Sequence, residues 1–97
     1  MRVVWDEGKR RENISKHGID FREAHEMFDG PILVALDIRE DYGEDRFIGL
    51  GSIKDRVVVI AYSEPEEDTV RVISLRKANK NEREKFAEEL AQRLGPS

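Results

Sequence analysis

Between Ile32 and Leu75 the chain carries four runs of β-forming residues, and the middle two are joined by nothing longer than Lys54-Asp55-Arg56. Parallel strands need a crossover of about a dozen residues or more, so Arg46–Gly51 and Val57–Ser63 are expected to pair antiparallel. The outer runs read as strands over Ile32–Asp37 and Thr69–Leu75, with Glu64-Pro65-Glu66-Glu67-Asp68 as the loop before the last one. Met1 to Trp5 adds a short strand at the start.

Helix signals bracket these strands. Asp6 can cap a helix from Glu7 to about Lys16, and Gly18 supplies the left-handed residue that ends it. Asp20-Phe21-Arg22-Glu23 is a capping box with Ile19 placed to staple against Ala24, so a second helix runs from Phe21 to the stop at Asp29-Gly30-Pro31. Its Phe21, Ala24, Met27 and Phe28 form one apolar stripe. Asn79-Lys80-Asn81-Glu82 opens a third helix, whose Phe86, Ala87, Leu90, Ala91 and Leu94 share a face before Gly95-Pro96 ends it. The order β-α-α-β-β-β-β-α implies an α+β domain. Its plan is a twisted antiparallel sheet with two helices on one face and the last on the other face or along an edge.

A chain of 97 residues makes one small domain, taken as 1–97. The absence of cysteine removes disulfides, thiolate nucleophiles and Cys-based zinc sites, and suits a reducing cytoplasm. The longest apolar run, Val57 to Tyr62, is far short of the ~20 residues of a membrane span, and no signal peptide is visible, so a soluble cytoplasmic protein is expected. Charge is unevenly spread. Residues 18–45 carry nine acidic and two basic side chains, whereas residues 71–97 carry seven basic and four acidic ones. A chain of net charge −4 thus holds a local positive field.

That field centres on the junction of the last strand and last helix, where Arg71, Arg76, Lys77 and Lys80 are the only charges from Thr69 to Asn81 and Arg83 follows. Arginine is always charged and bidentate toward phosphate, and a helix N-terminus favours anions, so Arg76 is the first choice for a phosphate contact. The two-residue period sets Arg71 and Arg76 on opposite strand faces. Either a bulge re-aims one of them, or one contacts a ligand while the other ties the sheet to a helix or partner. The plain alternative for each is a surface salt bridge. Lys16-His17 lies at a helix C-terminus, where the macrodipole favours cations. It reads either as ordinary capping or as a cation pair near a scissile phosphate with His17 as proton donor. Arg46 has a neighbouring acid as its plain partner. Asp37 to Asp45 is acidic but lacks the EF-hand ligand register, so it reads as a solvated loop. His17 and His25 lack thiol partners for zinc, and neither metal nor cofactor is expected.

Val4-Trp5-Asp6, Asn13-Ile14-Ser15-Lys16-His17-Gly18-Ile19-Asp20-Phe21, Ala24-His25-Glu26-Met27-Phe28-Asp29, Glu44-Asp45-Arg46-Phe47-Ile48-Gly49-Leu50-Gly51 and Arg71 through Arg83 occur in the order and at the spacing of the BrnT ribonuclease toxins. Over roughly residues 3 to 86 the chain resembles that family. The resemblance implies a RelE-like fold and a metal-independent RNA-cleaving toxin of a type II toxin–antitoxin pair that inhibits translation and growth. It implies neutralisation by a BrnA-like ribbon-helix-helix antitoxin, through which DNA is contacted only indirectly. Lys16, His17, Arg46, Arg71 and Arg76 match family positions and are the candidate catalytic set, with Lys77, Lys80 and Arg83 as RNA contacts. One departure is Phe86, where such sequences usually carry tyrosine; Tyr42 and Tyr62 are the possible substitutes. A non-catalytic antitoxin-binding module of the same fold, acting in operon autoregulation, is the alternative. A small regulatory module without any nucleic-acid role is the third.

Overall fold

The computed structural model describes residues 1–94. Strand β1 (Arg2–Val4) leads into helix α1 (Glu7–His17), and a 3-10 turn (Phe21–Glu23) leads into helix α2 (Ala24–Asp29). Strands β2 (Leu33–Leu36), β3 (Arg46–Ile53), β4 (Arg56–Glu66) and β5 (Thr69–Lys77) follow, and helix α3 (Lys80–Leu94) closes the described chain. The architecture is α+β in the expected order, with the 3-10 turn as an addition.

The five strands form one sheet in the order β1-β5-β4-β3-β2. Three of the four pairings are antiparallel, but β1 lies parallel to β5 through Val3↔Val70 and its neighbours, so the sheet is mixed rather than antiparallel throughout. The reason is topological: β1 lies at the edge beyond β5, and everything between the two in sequence serves as the crossover that a parallel pair needs. Lys54 and Asp55 take φ of 50° and 63°, the left-handed pair that lets a two-residue hairpin follow the twist of β3 and β4. Strand β4 runs on to Glu66, so the loop expected from Glu64 shrinks to a turn at Glu67-Asp68.

One face of the sheet carries the core. Val58, Ile60 and Tyr62 of β4 lie opposite Gly51, Gly49 and Phe47 of β3, and Ile60 and Tyr62 also oppose Leu75 and Val72 of β5. Ile19, Phe21, Ala24 and Met27 pack onto this face, each fully buried. A β-carbon on Gly51 would stand 3.2 Å from the Met27 methyl, so α2 sits where the strand lacks a side chain. Tyr62 is held between Phe28, edge-on at 5.3 Å, and Phe47, stacked at 5.4 Å. Burial raises its phenol pKa and leaves it a core residue.

Helix α1 is attached to the sheet by a buried amide. The Asn13 side chain donates to the Leu75 and Ile19 carbonyls, both at 2.9 Å, and accepts the Leu75 N–H at 3.1 Å. Strand β1 pairs with β5 only as far as Arg71, so at Leu75 the amide does what a neighbouring strand would do. Gly18, at φ 70°, ends the helix by donating its N–H to the Ile14 carbonyl.

Helix α3 crosses the opposite face, from the end of β5 toward the start of β2, where Arg93 Nη1 donates to the Ile32 carbonyl at 3.3 Å. Phe86 is buried, yet Ala87, Ala91 and Leu94 of the expected apolar stripe are exposed. The helix is turned so that Glu82, Lys85, Glu89 and Arg93 border the cleft against Leu33, Ile48 and Leu50, with only Phe86 and Leu90 of the stripe inward; Gly95-Pro96 lies outside the described residues. Its start is fixed by the capping box: Glu82 N–H donates to Asn79 Oδ1, and Asn79 N–H to Glu82 Oε1, both at 2.8 Å.

Removing the Asn13 amide leaves the Leu75 N–H and C=O unpaired inside the protein. With each orphaned group costing about 1–3 kcal/mol, Asn13→Ala is expected to lower the melting temperature by roughly 10 °C or more. An unchanged melting temperature would refute the attachment. The Arg76 guanidinium holds the Glu82 carboxyl down at about 2 against an ordinary 4.5. Its contribution is therefore complete above pH 4.5 and fades as pH falls toward 2. Glu82→Gln should flatten that acid limb of stability and cost roughly 1 kcal/mol at neutral pH through the weakened cap; chemical denaturation across pH measures both.

Candidate active site

Arginine placement depends on one extra residue. Ala61 pairs with Ser74 but Tyr62 pairs with Val72, so Ile73 is unpaired in a bulge of β5. A bulge reverses the alternation of everything beyond it. Arg71 opposite Ser63, Ser74 opposite Ala61, and Arg76 opposite Val59 therefore all project from the face that carries α3. The bulge is present, and the tie of one arginine to a helix is found with it, since Arg76 pairs with Glu82 of α3.

Arg46 joins the same row, because it faces Ser63 from the other side of β4. The segment after β2 folds back onto this row. Glu44 Oε2 makes a short contact with Arg71 Nη2 and lies 3.5 Å from Arg46 Nε, and the Tyr42 ring stacks under Arg46 at 4.1 Å from the guanidinium carbon. The Tyr42 hydroxyl donates to Asp37 Oδ2 at 3.1 Å; burial and that carboxylate raise its pKa. Asp37 is itself buried, and its bonds from Arg39 hold its carboxyl well below the usual range. The acidic segment is thus not simply a solvated loop. Asp37 is the counter-ion of Arg39 within the segment, and Glu44 that of Arg46 and Arg71 on the sheet.

On the far side of the bulge, α1 supplies further cations. Lys9, Lys16 and His17 line a concavity with Glu12, Asn13, Ile73 and Ser74. An adjoining concavity is lined by Asp6, Lys9, Arg46, Arg71, Val72 and Ile73. Lys9 and Ile73 are walls of both, so one groove runs over the open edge of β5 from His17 to Arg46. Four of the five candidate catalytic residues, Lys16, His17, Arg46 and Arg71, lie along it.

Arg76 is placed differently. Its Nη1 and Nη2 each donate to one oxygen of Glu82 at 2.8 Å, which fills the guanidinium fork and raises the Arg76 pKa. Arg71 spends one nitrogen on Glu44 and keeps its other donors unpaired among the described residues. Of the expected RNA contacts, Lys77 is exposed, Lys80 stands 3.9 Å from Glu84, and Arg83 donates to the Ala78 carbonyl at 2.9 Å. They cluster at the start of α3, outside the groove.

Ser63 completes the Arg46–Arg71 row, and its hydroxyl is fully buried with no hydrogen-bond partner among the described residues. Lys9, Ser74, Glu44 and Ser63 were not singled out by the sequence. Lys9 lies seven residues before Lys16, on the same helix face, and that spacing could have found it. The others depend on pairings across the sheet. No group of three or more potential metal ligands occurs among the described residues.

Comparison with known proteins bears on the fold and the family. The crystal structure of the Brucella abortus ribonuclease toxin BrnT superposes with a TM-score of 0.65 at 28% identity, covering 82% of this chain and 99% of that one. Comparison with curated proteins gives no match. Residues 5–82 match the family model described as the ribonuclease toxin, BrnT, of type II toxin-antitoxin systems. Spanning most of the chain, from the end of β1 through the cap of α3, that match shows that the protein belongs to the BrnT family of ribonuclease toxins.

Proposed function

We propose that the groove over the β5 edge binds single-stranded RNA and cleaves it without a metal ion, by attack of a ribose 2′ hydroxyl on the adjacent phosphorus. The carrying observation is the Ile73 bulge, which sets Arg71 beside Arg46 and opens both to the cations of α1. Attack at phosphorus adds negative charge to its oxygens, and fixed guanidiniums stabilise that charge without reorganising. In this reading Arg71 and Arg46 hold the phosphate, Lys9 and Lys16 steer the strand, and His17 gives a proton to the departing 5′ oxygen. Arg76 holds α3 through Glu82, while Lys77, Lys80 and Arg83 extend the positive surface for RNA beyond the site.

Translation and growth inhibition in the cytoplasm follow from cleavage of cellular RNA. Membership of a toxin–antitoxin family supports an antitoxin partner, and a BrnA-like protein is the one proposed. The buried Phe86 ring packs under α3, so a hydroxyl there is not needed for this chemistry. The ion pairs on Arg71 and Arg76 favour a second reading, an antitoxin-binding module that cuts nothing and acts in operon autoregulation.

Purified protein should cut RNA in EDTA and leave 2′,3′-cyclic phosphate ends, resolved by treating the products with a cyclic phosphodiesterase. Absence of cleavage by folded protein would favour the second reading, and cleavage requiring Mg²⁺ would overturn the metal-free mechanism. Arg71→Lys preserves charge but loses the planar fork, and should slow cleavage by about 100-fold or more with little change in melting temperature. Arg76→Ala should show the opposite pattern, with a lower melting temperature and cleavage within about threefold of wild type. The reverse result in a side-by-side assay would exchange the two roles.

A further inference from the structure

We infer that Glu44 is the proton acceptor for the attacking 2′ hydroxyl, an assignment that rests on the ribonuclease reading above. It is preferred to the groove carboxylates Asp6 and Glu12 because Glu44 alone of the three is paired with the arginines that hold the phosphate. A 2′ hydroxyl is a poor nucleophile unless its proton leaves as the oxygen approaches phosphorus, and lysine, arginine and imidazolium have no free lone pair for that proton. Among the described residues, Glu44 is the carboxylate paired with both Arg46 and Arg71.

Its geometry fits the task. Both arginine contacts are made by Oε2, leaving Oε1 without a partner among the described residues. One oxygen is thus anchored and the other is open. The side chain is 28% exposed and lies close enough to the arginines to face whatever they bind. The two guanidiniums also flank Ser63, whose buried hydroxyl has no partner among the described residues. That orphaned hydroxyl is an independent mark of an absent polar ligand, since buried polar side chains are rarely left unsatisfied. A phosphodiester held by Arg46 and Arg71 beside Ser63 would bring its own 2′ hydroxyl against the free Glu44 oxygen.

The step balances. Glu44 Oε1 takes the 2′ hydroxyl proton as the 2′ oxygen forms its bond to phosphorus. The bond from phosphorus to the 5′ oxygen breaks with its electron pair on that oxygen, which receives a proton from the His17 imidazolium. The products are a 2′,3′-cyclic phosphate and a 5′ hydroxyl. Glu44 then loses its proton to solvent and His17 regains one.

The test compares wild type, Glu44→Gln and Glu44→Asp in cleavage of a mixed-sequence single-stranded RNA and in binding of its all-2′-deoxy counterpart, which has no attacking hydroxyl. Glu44→Gln removes the acceptor but nearly keeps the shape. It should cut at least about 100-fold more slowly while binding the deoxy strand as tightly as wild type or more tightly, because a negative charge leaves the arginines. Glu44→Asp should recover part of the rate, and it carries the test if the glutamine variant does not fold. Cleavage by Glu44→Gln at or above the wild-type rate would overturn the assignment and make Glu44 only a counter-ion. Loss of deoxy-strand binding in proportion to cleavage would also overturn it, making Glu44 a prop for the arginines. If wild type itself binds the deoxy strand yet cuts no RNA, the ribonuclease reading fails first and this assignment with it.

Discussion

The bulge at Ile73 is the constraint on which the rest of the site depends. In an unbroken strand, Arg71 and Arg76 would face opposite sides of the sheet, and one of them would be driven into the core. By leaving Ile73 unpaired, β5 keeps Val72 and Leu75 on the apolar face while returning Arg71, Ser74 and Arg76 together to the polar one. The bulge lies beyond the end of β1, where the edge of β5 is open, and the Asn13 amide takes up the Leu75 backbone groups there. The same amide fixes α1, so the position of Lys9, Lys16 and His17 is set by the contact that closes the bulged edge.

Opposite charge is used locally across the polar face. A domain of net charge −4 can gather cations on one ridge because acidic side chains are assigned to individual arginines: Glu44 to Arg46 and Arg71, Glu82 to Arg76, Asp37 to Arg39. These assignments are not equivalent. Glu82 also caps α3 and fills both nitrogens of its arginine, which makes that pair part of the helix start. Glu44 makes a one-oxygen contact and leaves donors exposed beside it. A pair of the first kind is closed to ligands, whereas one of the second keeps guanidinium donors free for a phosphate while its carboxylate stays in place.

Local signals in the chain decided most of the architecture. Asp6, Gly18, the Asp20–Glu23 and Asn79–Glu82 boxes, and the turn at Lys54-Asp55 act through bonds to residues two to four positions away, so they are legible without knowing the fold. The apolar stripe of α2 was legible for the same reason. That of α3 misled at Ala87, Ala91 and Leu94, because periodicity shows which face of a helix is apolar but not how the helix is rotated on the sheet.

The site was legible as a list of cations and not as an arrangement. Lys16, His17, Arg46 and Arg71 stand out by residue type and by their place at element ends, and the sequence alone determined that such residues exist on a small α+β domain of this family. Their grouping was decided only by the tertiary structure. A one-residue slip in the pairing of β4 with β5 chooses the face of each arginine, and no local propensity reports it. The segregation of Arg76 into the cap of α3, the return of Glu44 onto the sheet and the unsatisfied Ser63 hydroxyl likewise arise from contacts between residues distant in sequence. Hydrogen-bond periodicity along a chain is a short-range property. Which side chains share a groove is set by long-range register, and that exists only once the sheet has closed.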